Sequence, residues 1–153
     1  EYSHTVYGAY NASKTAYGLN FIGRAEVGYT VNDADADGSL VTAVNDVTSV
    51  ALHSGVFKEV GNYTFGATAS VPTRIVAGEL ELDVPVARTL DGRVITERQS
   101  ASLSTGRTEV DFGLSFNYNT ESHNLGAYVE ERINYAGTDI TTTEYGVKYE
   151  FKF

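Results

Sequence analysis

Cysteine, methionine and tryptophan are all absent from this 153-residue sequence. Without cysteine there is no disulfide framework, no thiolate nucleophile and no thiolate metal site. Basic residues are scarce: 11 Lys+Arg against 20 Asp+Glu give a formal charge of −9. That excludes nucleic acid as an expected partner, because proteins that bind a polyanion concentrate cations. No apolar run approaches the ~18 residues of a membrane helix, which excludes a helical membrane protein. There is no initiator Met and no signal-peptide pattern, so the sequence reads as a processed chain or an excised piece. Proline occurs twice, against 15 Gly and 11 Tyr. An apolar fraction of 42% is too high for a disordered chain, and the length fits a single domain over residues 1–153.

What is present is alternation with a period of two, sustained for about ten residues at a time. Tyr145, Val147, Tyr149, Phe151 and Phe153 alternate with Glu144, Gly146, Lys148, Glu150 and Lys152. In a strand these sets point to opposite sides of the sheet. The split recurs in Val110–Tyr118, Leu80–Val86, Tyr63–Val71, Tyr17–Tyr29 and Leu125–Tyr135. In the last of these Glu131 interrupts the apolar phase, which predicts either a bulge or a strand that rises out of the apolar zone there. Thr5–Tyr10 and Val47–Phe57 are weaker. The expected fold is all-β and antiparallel, with about eight strands.

A soluble sandwich and a transmembrane barrel both alternate. Three features favour the barrel. Ten residues at ~3.3 Å, tilted ~45°, rise roughly 23 Å, close to the apolar band of an outer-membrane barrel. Tyr17, Tyr29, Tyr63, Tyr118, Tyr135 and Tyr145 fall near expected strand ends, where an interfacial girdle sits. The polar phase mixes Gly with charge, as a crowded lumen requires. About eight strands would close with side chains filling the interior and no aqueous channel.

The expected lumen charges are Arg24, Glu26, Glu79, Glu81, Asp83, Glu109, Asp111, Glu130, Arg132 and Lys148. The pairs Glu79/Glu81 and Glu109/Asp111 share a face and are expected to meet Arg24, Arg107, Arg132 or Lys148, because an unpaired buried charge is costly. Asp33, Asp35, Asp37 and Gly38 match the start of a calcium loop. The twelfth position is Val44, so a solvated turn is the better reading. His4, His53 and His123 have no metal-ligand spacing and read as structural. No Gly-x-Ser-x-Gly elbow is present. A Ser/His/Asp site assembled across strands remains an open alternative, but no enzyme activity, cofactor or metal is expected.

The closing strand, with alternate apolar residues and a terminal Phe153, resembles the C-terminal assembly signal of bacterial outer-membrane proteins. Independently of any family, an unpaired terminal strand edge is a site where another sheet can add. A second resemblance covers about the C-terminal two-thirds. Ser70-Val-Pro72-Thr-Arg74-Ile-Val-Ala-Gly78 is similar to a Pro-x-Arg-Val-x-x-Gly segment of subtilase-family autotransporter barrels. Leu103-Ser-Thr-Gly106-Arg107-Thr-Glu109 is similar to a Ser-Gly-Arg-Glu stretch of the same barrels, and Asp46-Val-Thr-Ser49-Val-Ala51 also fits. Thr73 stands where that family has Leu, and one extra residue separates Arg107 from Glu109. The resemblance implies a translocator and anchor in the outer membrane of a Gram-negative bacterium. It implies outer-membrane lipid, the barrel-assembly machinery and a covalently attached upstream passenger as partners. That family has twelve strands, a pore helix and a passenger, so this chain reads as a C-terminal fragment. The alternative is a self-contained eight-stranded surface protein for adhesion, with specificity in long loops such as Leu90–Ser102.

One difficulty arises at once. Eight strands counted back from a periplasmic C-terminus put Asn32–Asp46 on the periplasmic side, where turns are short. An extra strand over Ser39–Val44 would reverse everything before it.

Overall fold

A computed structural model describes residues 2–33, 40–104 and 106–151 of the chain. Among these residues no α-helix occurs, and no helix is long and apolar enough to cross a membrane. Ten strands follow one another: β1 Tyr2–Ala16, β2 Leu19–Asp33, β3 Val41–Val44, β4 Val47–Val60, β5 Tyr63–Ala77, β6 Glu79–Arg88, β7 Val94–Ser102, β8 Val110–Asn119, β9 His123–Ile133 and β10 Thr142–Phe151. They form a seven-stranded sheet in the order β1-β2-β4-β5-β8-β9-β10 and a three-stranded sheet in the order β3-β6-β7. By contact the chain divides into two compact units. The first comprises Glu1–Gly8, Val27–Val50 and Arg74–Thr105; the second comprises Ala9–Glu26, Ala51–Thr73 and Gly106–Phe153.

In the second unit, β8, β9 and β10 form a meander whose register follows the period-two pattern. Phe112, Leu114, Phe116 and Tyr118 stand opposite Glu131, Val129, Ala127 and Leu125. Tyr145, Val147 and Tyr149 continue the row beyond Val129, Ala127 and Leu125. On the other side, Tyr63, Phe65, Ala67 and Ala69 of β5 face Tyr118, Phe116, Leu114 and Phe112. One face is therefore apolar across four strands. Pairing runs without a shift through Glu131, so the expected bulge there does not form. Glu131 is simply carried on the apolar side, two residues from Ile133.

Tight turns close this unit's hairpins. Tyr17 and Gly18 both have positive φ, 55° and 71°, and join β1 to β2 in two residues. That turn matches the right-handed twist of the flanking strands. Gly61-Asn62 and Thr120–Ser122 join β4 to β5 and β8 to β9. These three short turns share the strand end at which β10 finishes, since Phe151 pairs with His123 and Asn119 N–H bonds to the Asn62 carbonyl at 2.9 Å.

In the first unit, β6 pairs with β3 on one side and β7 on the other. Four sequence expectations change here. The strand count rises from about eight to ten. Leu90–Ser102 is not a loop, because Val94-Ile-Thr96 begins β7 and pairs back to Arg88 and Pro85. Ser39–Val44 does contain a strand, β3, but it joins β6 and not the seven-stranded sheet. The expected spanning strand Glu79–Val86 likewise leaves that sheet. Removing it changes the parity of the count. The connection from β2 to β4 then departs from the opposite strand end to the C-terminus, and the difficulty over its length disappears.

Candidate functional site

Side chains on the apolar face of the second unit are exposed. Leu114 is 61% exposed, Val147 76% and Tyr145 81%. Ala51 is the one buried hydrophobic side chain among the described residues. A soluble domain of this length buries most of its apolar side chains. Aromatic rings collect toward the short-turn end. Tyr63 and Tyr118 pack at 4.9 Å between centroids, and Phe65 and Phe116 at 5.5 Å. His123 Nδ1 lies 2.8 Å from the Tyr149 hydroxyl, and its ring is 5.1 Å from Phe151. Tyr17 sits in a turn and Tyr135 just past β9, whereas Tyr29 and Tyr145 lie within β2 and β10, not at strand ends as expected. Of the closing strand Tyr145, Val147, Tyr149 and Phe151 share this face; Phe153 lies outside the described residues.

The opposite face is polar, and glycines make it a packing surface. A Cβ on Gly66 would sit 2.7 Å from the Phe57 ring, and one on Gly55 2.9 Å from it. The Tyr128 ring lies over Gly146 in the same manner. Gly66 and Gly146 are thus the seats of a neighbouring strand's large side chain, and Gly55 leaves room for Phe57 of its own strand, which explains why Gly recurs in the polar phase.

The charged residues of this face pair among themselves. Arg24 pairs with Glu26 along β2. Arg132 Nε donates to Glu130 at 2.6 Å, and Arg132 Nη2 donates to Glu144 at 3.1 Å. Tyr128 OH donates to the other Glu144 oxygen at 2.7 Å. Asp111 stands opposite Arg132 in register and accepts from Ser70 Oγ at 3.5 Å. Glu109 accepts from the Ala136 N–H at 2.7 Å rather than from an arginine. Lys148 pairs with Glu150 of its own strand at 2.7 Å. Arg107 pairs with Asp139.

The expected partners of Glu79 and Glu81 are corrected. Glu79, Glu81 and Asp83 belong to β6 in the first unit, and Arg98 of β7 lies 3.6 Å from Glu81 and 3.3 Å from Asp83. Arg98, Glu144 and Tyr128 were missed by the sequence reading. Only Tyr128 left a signal, an aromatic residue in a polar phase.

The autotransporter-like residues lie on both sides of this frame. Pro72 and Arg74 are half-buried in β5, and Pro72 lies past Ser70, the last residue paired with β8, so its missing N–H costs no bond to that strand. Gly78 has φ 150°, and a Cβ there would meet Val47 at 3.2 Å, so a close backbone approach accounts for it. Gly106 and Arg107 precede β8.

Asn11, Ser13, Arg24, His53, Thr68 and Ser70 border a cavity of about 540 Å³ in the second unit. Ser70 directs its hydroxyl to Asp111, and no hydrogen bond joins His53 to Ser70 among the described residues. The relay a serine nucleophile needs, with histidine between serine and carboxylate, is not assembled. No group of metal-ligating side chains occurs among the described residues. Most of the Asp33–Gly38 run lies outside them, and Val44 is engaged in β3 opposite Leu80.

Comparison with protein-family models, curated proteins and solved structures yields no match.

Proposed function

We propose that this chain is part of an outer-membrane β-barrel and serves as the translocator and anchor of an autotransporter. The observation that carries the membrane reading is the continuous, exposed apolar face of β5, β8, β9 and β10. From Val110 to Tyr118 that face runs ~26 Å along the strand and, at a tilt of about 40°, rises roughly 20 Å, near the ~25 Å of a barrel's lipid band. Lipid offers no hydrogen bonds, so only paired strands can carry such a face through it. The three short turns lie at the strand end where the chain finishes, the arrangement of periplasmic turns with longer connections outside.

The strand count, seven in the sheet, is one short of an eight-stranded barrel and five short of a twelve-stranded one, which fits part of a larger barrel. An antiparallel sheet of seven strands has first and last strands running the same way. Closing it with an antiparallel seam takes an odd number of further strands, as a twelve-stranded barrel would supply. The translocator role rests on the short motifs around Pro72, Arg74, Gly78, Gly106 and Arg107 and on the closing strand.

Expression of the full-length product that contains this chain in a Gram-negative host tests both levels. The protein should fractionate with the outer membrane and show heat-modifiable migration. Phe153→Asp should lower the inserted amount severalfold through loss of docking on the assembly machinery. A monodisperse particle in buffer without detergent would refute the membrane reading. Unchanged insertion of Phe153→Asp would refute the assembly-signal assignment alone. In the full-length product, deletion of residues 1–153 should abolish surface exposure of the upstream polypeptide.

A further inference from the structure

The chain carries a charge of −9, yet the apolar face near the short turns shows the opposite sign. Alternation puts Lys14 and Lys58 on that face, and both are exposed. Neither has an ion pair among the described residues. The carboxylate on this face, Glu131, lies two positions further along the sheet from the turn than Val129. Lys58 also borders a groove of about 390 Å³ whose apolar walls include Leu19, Val56, Phe65, Ala67 and Leu114. The contact of Phe57 with Gly66 and the bond from Ser54 to the Ala69 carbonyl (3.0 Å) set the β4–β5 pairing, which puts Lys58 beside Phe65. That position is two residues in from Tyr63, ~7 Å along the strand. A lysine stem covers about that distance, so its ammonium reaches the level of the tyrosines while its methylenes stay on the groove wall.

We propose that this groove seats an acyl chain of an anionic phospholipid, with the lipid phosphate held by Lys58 and, from β1, Lys14. An apolar slot with a cation at its interfacial end fits that amphiphile and fits a zwitterionic lipid less well, because the latter's own ammonium competes for the phosphate. The inference rests on the membrane reading above and specifies the lipid that reading leaves general.

The test uses the full-length product that contains residues 1–153, reconstituted in phosphatidylcholine vesicles that contain a minor fraction of spin-labelled phosphatidylglycerol. Insertion is scored separately by heat-modifiable migration. The inserted protein should enrich the anionic probe roughly fivefold over a spin-labelled phosphatidylcholine control, the gain that one lysine near a phosphate provides. Lys58→Gln should bring the enrichment close to unity, Lys58→Arg should retain it, and Lys14→Gln should lower it by a smaller factor. High salt should weaken it in every protein that shows it. An inserted wild-type protein with no preference for the anionic probe overturns the proposal and leaves the membrane reading standing. So does an undiminished preference in the Lys14→Gln/Lys58→Gln double variant. Failure of the wild-type protein to insert at all sinks the membrane reading instead.

Discussion

The meander β8–β9–β10 and the hairpin β6–β7 alternate alike along a single strand but differ across strands. In β8 the apolar Leu114 and Phe116 stand opposite Val129 and Ala127, and the neighbours of those residues in β10 are Tyr145 and Val147. In β6 the equally regular Leu80, Leu82 and Val84 stand opposite Ala101, Gln99 and Glu97. The first arrangement builds an apolar surface several strands wide. The second runs from Val41 and Val44 of β3 to Leu82 and Leu80 of β6 but breaks toward β7 at Gln99 and Glu97, and all nine residues of β7 are exposed. Contact with lipid is a property of a surface, so cross-strand continuity, and not period-two alternation, separates a strand that can face acyl chains from one that belongs in water.

The largest effect should come from placing a charge in the middle of each stripe. Leu114→Arg puts a guanidinium at the centre of the wide apolar surface. At the middle of a bilayer that costs about 2–4 kcal/mol. The heat-modifiable form should fall sharply, with a matching loss of stability in urea unfolding from lipid. Leu82→Arg, on the stripe already opposed by Gln99, should leave insertion within error of wild type. Equal losses in both variants would mean that β6 also contacts lipid and that the contrast between the regions fails.

That contrast marks the limit of what the sequence reveals. The phases of β8, β9 and β10 are readable because each strand carries its own alternation. The assignment of β6 is not, since the residues that decide it, Gln99 and Glu97, lie on another strand whose register is set by a bulge between Pro85 and Ala87. For the same reason the alternation pairs Glu79 and Glu81 with Arg24, Arg107, Arg132 or Lys148, whereas Arg98, opposite Asp83, is the cation beside Glu81. The strand end from which the Asn32–Asp46 connection leaves depends on β6 in the same way, because one misplaced strand inverts every connection upstream of it. The glycine seats were half legible. Gly66 and Gly146 fall in the polar phase, but only packing shows that Phe57 and Tyr128 fill them.

Those seats sharpen the comparison at an intermediate scale. Gly66→Leu would drive a side chain into the Phe57 ring, an overpacking that costs about 1–3 kcal/mol. The urea midpoint of the inserted protein should fall accordingly. Phe57→Ala in the same chain should recover part of the loss by vacating the seat. In the β6–β7 hairpin, Gly92 has open space around it. Its φ of 91° leaves backbone strain as the cost of Gly92→Ala, so no compensating partner substitution should restore it. Recovery by Phe57→Ala is therefore the discriminating result.

The smallest difference should appear in the ion pairs. Arg132 serves Glu130 and Glu144 at once, sits opposite Asp111, and is about a third exposed (32%). Arg98 serves Glu81 and Asp83 at longer range and is 64% exposed. Exposed pairs contribute about 0–1 kcal/mol and are screened by salt. Arg98→Gln should therefore produce a shift in unfolding midpoint that vanishes when the salt concentration is raised. Arg132→Gln removes the shared partner of two carboxylates that also face Asp111. Three carboxylates are then left close together where Arg98→Gln leaves two, so part of the destabilisation should persist in high salt. If Arg132→Gln loses its effect in salt as completely as Arg98→Gln, both clusters are equally solvated, and the polar face of the second unit offers no more shelter to charge than the open hairpin does.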